Sequence, residues 1–394
     1  GLKMVALGLV PDLTAKAART AASNAGAKVV KTFAYEISGS EQQEIYDINP
    51  DLVLLCGGTD GGNKEVIISN AKHLVAIDRP FTTIVAGNKS ANDDIKAIFN
   101  EAGKDVVITE NVMPQFNKLN IEPARDAIRQ LFISRIIEAK GLNILQAMTP
   151  YKIIPTPLAV LHACELLSKG TKTQQGRGDL LAVDIGGATT DVYSMASGEP
   201  TVDNTMLKGL PEPWMKRTVE GDLGMRYSLT HVYEQIPGSD NPENEYMQQV
   251  KAWVELCTAR PDTLAAPGSE EEKLEEFLGR SAVSMAVERH CGRIADVFTP
   301  LGLMHTQEGK DLMNVPSVIG IGGVLRNSRR PEEILKGSLY DFMHPECTKP
   351  RKPKFYLDQK YIFASMGLLR SINPELAFEL LDKETVEIGW NATV

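Results

Sequence analysis

One run, Gly178 to Ser194, GDLLAVDIGGATTDVYS, limits what this chain can fold into. Leu180 to Val183 is apolar, Gly186 and Gly187 break the run, and Val192 and Tyr193 resume it. That pattern predicts strand, turn, strand. Asp184 then stands at the carboxyl end of a buried strand. Two glycines beside two threonines let backbone close around an anion, because glycine adds no Cβ. Thr189 and Thr190 offer donors to phosphate oxygens. Asp184 is the candidate ligand for Mg2+, through water, since that ion keeps several waters. The turn is a phosphate loop in a β-hairpin and not a Walker loop, because no GKS or GKT follows. The alternative is an ordinary hairpin turn.

A second stretch, Pro316 to Asn327 (PSVIGIGGVLRN), repeats the theme. Val318 to Ile321 reads as a strand, and Gly322-Gly323 as a turn where a ring or a phosphate approaches backbone closely. Between the two, Arg217 to Gly224 is glycine-rich and acidic. Its Glu220 and Asp222 either face a metal or hydrolytic water, or cap the following helix. Glu220 is the candidate catalytic carboxylate beside Asp184.

The remaining chain sets the frame. A length of 394 residues suffices for two or three domains. A net charge of −9 excludes a broad basic face and argues against a nucleic-acid partner. No run is long enough to span a bilayer. Cys56, Cys164, Cys257, Cys291 and Cys347 are scattered, without a CxxC pair, which fits a reducing cytoplasm rather than a disulfide framework or zinc site. From Leu2 to Thr109, strand-like and helix-like segments alternate five times, beginning with a helix after Pro11. That predicts a small flavodoxin-like, doubly wound parallel sheet in residues 1–115. Its loop Gly57 to Gly62 is either a ligand loop at a strand's carboxyl end or a tight backbone turn. Residues 116–394 form the second predicted domain, with a helical insertion around 225–280. Ser281 to Phe298 reads as one long helix. Its Glu288-Arg289-His290 triplet reads as surface pairing.

The two glycine stretches together resemble the nucleotide site of the actin and sugar-kinase superfamily. VDIGGATTDVYS is similar to its second phosphate motif, and VIGIGGVLRNS to its adenosine motif. Ile153 to Tyr193 is also similar to hydantoinase-A proteins. GLVPDLTAKAARTAASNAGAKVV, PDLVLLCGGTDGG, the Pro155-Thr156-Pro157 helix and RTVEGDLGMR narrow the likeness to the glutamate-mutase-associated GlmL/MutL family, over nearly the whole chain.

That resemblance implies an actin-like, ribonuclease-H-like ATPase lobe using ATP and Mg2+. It implies that Asp184 organises the metal and that Gly186, Gly187, Thr189 and Thr190 contact phosphates. Gly320, Gly322 and Gly323 would border adenosine, and Asp191 would support the turn. It implies a cytoplasmic, ATP-dependent reactivating chaperone whose partners are adenosylcobalamin-dependent mutase subunits. The rival classes are a hydantoinase- or oxoprolinase-like hydrolase, a small-molecule kinase, and a nucleotide-gated scaffold without turnover. A complete superfamily member carries an earlier Asp-x-Gly phosphate hairpin. None occurs here, so the expectation is a chain truncated at its N-terminus, with half the phosphate clamp upstream.

Overall fold

Leu52–Leu55 is four apolar residues in succession, all buried, as expected of a parallel strand covered on both faces. In the computed structural model it is the third strand of the first of two units. The structure describes residues 3–389 apart from 12–14, 16–17, 19–20, 22–27, 140–142, 152, 210–211, 242 and 301. Most of the helix expected after Pro11 lies outside the described residues.

The first unit is Gly1–Pro155 with Gly209–Pro211. Its strands are β1 (Lys3–Gly8), β2 (Lys28–Ala34), β3 (Leu52–Leu55), β4 (Thr82–Val85) and β5 (Val106–Ile108). All pairs are parallel, in the order β2-β1-β3-β4-β5, which is the flavodoxin-like order. Successive strand residues face opposite sides. Met4, Ala6, Leu52 and Leu54 therefore enter one core, and Val5, Leu7, Val53 and Leu55 the other. The helix Gly39–Ile48 starts at Ser38, whose hydroxyl and the Glu41 side chain form a reciprocal cap.

The second unit is Thr156–Lys208 with Glu212–Val394. Its main sheet uses β6 (Leu180–Ile185), β7 (Thr190–Met195), β9 (Met215–Glu220), β12 (Ser317–Ile321), β13 (Lys354–Asp358) and β14 (Thr385–Ile388). The order is β14-β13-β12-β6-β7-β9. β6, β12 and β13 run parallel, whereas β7 pairs antiparallel with both β6 and β9. An antiparallel meander continued by parallel strands on the side of its first strand is the ribonuclease-H-like arrangement. A second sheet joins β10 (Arg293–Thr299) and β11 (Gly302–Glu308) to β8 (Thr205–Leu207).

The long helix expected over Ser281 to Phe298 is placed differently. One helix, Glu270–His290, runs from the Ser269 cap and stops at Cys291. Arg293–Thr299 is a strand instead, paired residue for residue with β11. Gly292 is the break. Its backbone amide donates to Lys310 O at 2.6 Å and its carbonyl accepts from Thr348 N at 3.0 Å, so its partners lie off the helix axis. Among the described residues, no helix is long and apolar enough to cross a membrane.

Candidate functional site

Alternation along β6 divides its side chains between two faces. Leu181, Val183 and Ile185 join the core beneath the helices Leu229–Glu234, Glu245–Ala259 and Glu270–His290. Asp184 takes the other face, directly opposite Asp191 of β7. Asp191 does not stand alone. Arg217 of β9 donates to its Oδ1 from two nitrogens, at 2.8 and 2.5 Å, and both residues are 6 % exposed. Asp184 has no such partner among the described residues. Burial, then the charge of Asp191, push its carboxyl up to about 7, against the pull of Arg217. Asp358, at the end of β13, adds to the push.

β6 and β12 are parallel neighbours, with Asp184 in register with Ile321. Both Gly-Gly turns therefore emerge at one edge of the sheet. Gly322 adopts φ 98°, a conformation that disfavours side chains. A Cβ there would lie 2.6 Å from Asp184 Oδ1 and 2.4 Å from Ile185 O, so the two turns touch. Gly323 is different: it is exposed, with open space around it. Gly320 lies within β12 against Leu325 and Leu335, where it serves packing.

The hairpin turn itself is tight. Gly186 N donates to Thr189 O at 2.9 Å. The amides of Gly187, Ala188 and Thr189 make no hydrogen bond among the described residues. Three unpaired donors in succession are what an anion cradle requires. The carbonyls point away and are covered. Met225 N donates to Gly186 O, and Arg226 N and Tyr227 N both donate to Gly187 O. The segment Gly221 to Ser228 thus forms a strap behind the turn. Gly224 lies so close to Ala188 that a Cβ would meet its carbonyl carbon at 2.2 Å. Arg226 anchors the strap to Glu275 at 2.7 Å and to Thr263 O at 3.2 Å.

The two threonines part company. Thr189 is half-buried at the turn and donates to Asp191 Oδ2 at 3.2 Å. Thr190 is buried and gives its hydroxyl to Leu223 O at 2.5 Å, which commits it to holding the strap. Glu220 is in register with Thr190 and shares its face, opposite to that of Asp184. Arg289 bridges Glu220 at 2.7 Å and Asp222 at 2.9 Å. So Arg289 does pair at the surface, whereas His290 is fully buried. Its Nε2 lies 2.8 Å from Ser194 Oγ and its Nδ1 2.9 Å from Thr218 Oγ1. Lys310 Nζ donates to Ser194 Oγ at 3.2 Å, and burial brings its pKa down to about 7. Sequence reasoning missed Asp358, although an acid after the apolar run Phe355-Tyr356-Leu357 is the signal that found Asp184.

The Asp191–Arg217 pair yields a first expectation. Arg217→Ala leaves a buried, uncompensated carboxylate next to Asp184, at a cost of about 3–5 kcal/mol. Urea unfolding of this variant against Arg217→Lys measures it. A loss under 1 kcal/mol would show that the pair is dispensable.

In the first unit, the loop Gly57 to Gly62 is closed upon itself. Asn88 is buried, accepts from Gly61 N and donates to Gly62 O and Asn63 O. Asn111 donates to Gly58 O and to Asp60 Oδ1. These bonds fit the tight backbone turn. Among the described residues, no three His, Cys, Asp or Glu side chains converge as a metal site. An unpaired Asp184 beside an anion cradle still suits Mg2+, which takes one or two carboxylates plus phosphate and water.

Residues 1–385 match the family described as MutL protein. A relative named Protein MutL, from Clostridium tetanomorphum, is 46 % identical over 391 residues, which is 98 % of this chain and 84 % of that protein. Among solved structures, a nucleotide-free acetone carboxylase from work on ATP-dependent acetone carboxylation is similar over 93 % of this chain. The chain spans 58 % of that structure, at 14 % identity and a TM-score of 0.31, too slight a likeness to bear on function.

Proposed function

The chain belongs to the MutL protein family, and from that premise we propose that it binds ATP with Mg2+ where β6 and β12 end. We propose further that it is a cytoplasmic, ATP-dependent reactivating chaperone of an adenosylcobalamin-dependent mutase of the glutamate-mutase type. The observation that carries the nucleotide reading is the juxtaposition of unpaired amides with an unpaired carboxylate. Gly187, Ala188 and Thr189 offer N–H donors beside Asp184. Gly322, where a Cβ would strike Asp184 Oδ1 and Ile185 O, lets the second turn pack closely beside that carboxylate. When bound, Mg2+ neutralises phosphate charge.

Each residue then has a part. The turn amides orient phosphate oxygens, and Asp184 holds the cation. Gly322 and Gly323 give the nucleoside access to backbone, and Gly320 shapes the strand beneath them. Thr190 and Glu220 act from the far face, by fixing Leu223 and Arg289 around the strap. Asp191, neutralised by Arg217, supports the turn. Phosphoryl transfer depends on such positioning and charge neutralisation more than on covalent chemistry.

In a chain extended upstream to include the first phosphate hairpin, Asp184→Ala is expected to reduce Mg2+-dependent ATP turnover by on the order of a hundredfold or more, the scale of losing one preorganised electrostatic group. Phosphate release with and without a partner mutase measures it. Unchanged turnover in the variant would remove the assignment. Stimulation by a small molecule, and not by a mutase, would favour a hydantoinase- or oxoprolinase-like hydrolase or a kinase.

A further inference from the structure

Tyr361 is held at φ 57° although its side chain is 53 % exposed. The left-handed region is unfavourable for a bulky residue, and such outliers gather at functional sites. The phenol hydroxyl makes no hydrogen bond among the described residues.

The neighbours of Tyr361 fix it in place. Tyr361 N donates to Asp358 O at 3.3 Å. Ile362 N and Phe363 N donate to the two Asp358 carboxylate oxygens, at 2.9 and 3.0 Å. Arg326 Nε donates to Gln359 O at 3.2 Å, which ties this loop to the helix that starts at Gly323. Tyr361 therefore stands where β13 ends, beside the ends of β12 and β6. Burial, then the carboxylates of Asp184 and Asp358, raise the pKa of its hydroxyl.

We propose that Tyr361 is a ligand-contacting residue, whose hydroxyl donates to a phosphate oxygen of the nucleotide held at Asp184. This rests on the nucleotide reading above. The backbone outlier, pinned by the Asp358 carboxylate, fixes the position of an exposed ring at the edge where β6, β12 and β13 end. Asp358 and Arg326 are positioning residues for it.

Calorimetric titration of the full chain with Mg-ATP and with Mg-pyrophosphate tests this, using wild type, Tyr361→Phe, Tyr361→Gly and Asp184→Asn. Tyr361→Phe should bind both probes about tenfold more weakly, the worth of one hydrogen bond. Tyr361→Gly should bind both more weakly while melting no lower than wild type, because glycine suits that backbone. A merely structural tyrosine would move melting without moving affinity. If wild type binds, Asp184→Asn does not, and Tyr361→Phe keeps full affinity, this inference falls and the nucleotide reading stands. If Tyr361→Phe weakens ATP alone, the contact is to the nucleoside and the phosphate assignment is overturned. If wild type binds neither probe, both readings fall.

Discussion

Asp184→Asn is expected to make the ligand-free protein more stable at pH 8 and to abolish its stabilisation by Mg-ATP. The Asp184 carboxyl is raised in the fold from 3.8 to about 7, first by burial and then by Asp191. In the unfolded chain it ionises near its ordinary value of about 3.9. Its neutral form is therefore favoured by folding. The favourable contribution is fully present below about pH 4 and is lost as pH rises through 7. At pH 8 the wild type carries the whole cost of an ionised, poorly solvated carboxylate, on the order of 4 kcal/mol at most. An amide of the same shape escapes that cost. Denaturant unfolding at pH 5 and pH 8 measures both chains. The asparagine variant should lead at pH 8, and its lead should shrink towards pH 5. Mg-ATP should narrow that lead, because a ligand at a hundred times its Kd adds about 2.7 kcal/mol to the wild type alone. Parallel stability curves for the two chains would sink this account of Asp184.

Gly322→Ala carries the second large effect. The new methyl would meet a main-chain oxygen at 2.4 Å and the Asp184 carboxylate at 2.6 Å, at a φ of 98°. At φ 98° and ψ 160° the backbone is in a region essentially confined to glycine, which alone costs another residue about 1–3 kcal/mol. The contact with Ile185 O is rigid, so β6 and β12 must move apart to relieve it. A total loss above 3 kcal/mol is expected, together with loss of nucleotide binding. Gly323→Ala is the internal control, since only Asn327 Nδ2 comes within 4 Å, at 3.9 Å. It should stay within about 0.5 kcal/mol of wild type. Equal melting temperatures for the two variants would show that the turns do not touch in solution.

These expectations draw on features of unequal legibility. The register of β6 with β7 could be read from Leu180 to Tyr193, because an apolar run, a two-glycine break and a second run have few other foldings. The first five strands were legible for a different reason, the regular alternation of short apolar runs with helix-like segments. β13 was not. It begins at Lys354, at the end of a basic Pro-rich run that carries no strand pattern, and in that run Lys349 is buried, its amine donating to Ser284 Oγ at 2.9 Å. The helix end at His290 was hidden because the break depends on Lys310 O and Thr348 N, partners remote in sequence. The threonines show what pattern leaves open. Both have the right chemistry, but strand alternation sends Thr190 to the strap and leaves Thr189 at the turn. The unpaired amides of the turn have no side-chain signature at all. Only the strap's claim on the neighbouring carbonyls shows which backbone groups are left over.

The sheet edge gathers Asp184, Gly322 and Asp358 from three separate parts of the chain, on or next to strands that pair only in the finished sheet. Neither the hairpin nor the second glycine turn carries this arrangement by itself. A ligand held at this edge would therefore report on the assembled sheet rather than on any one segment of it.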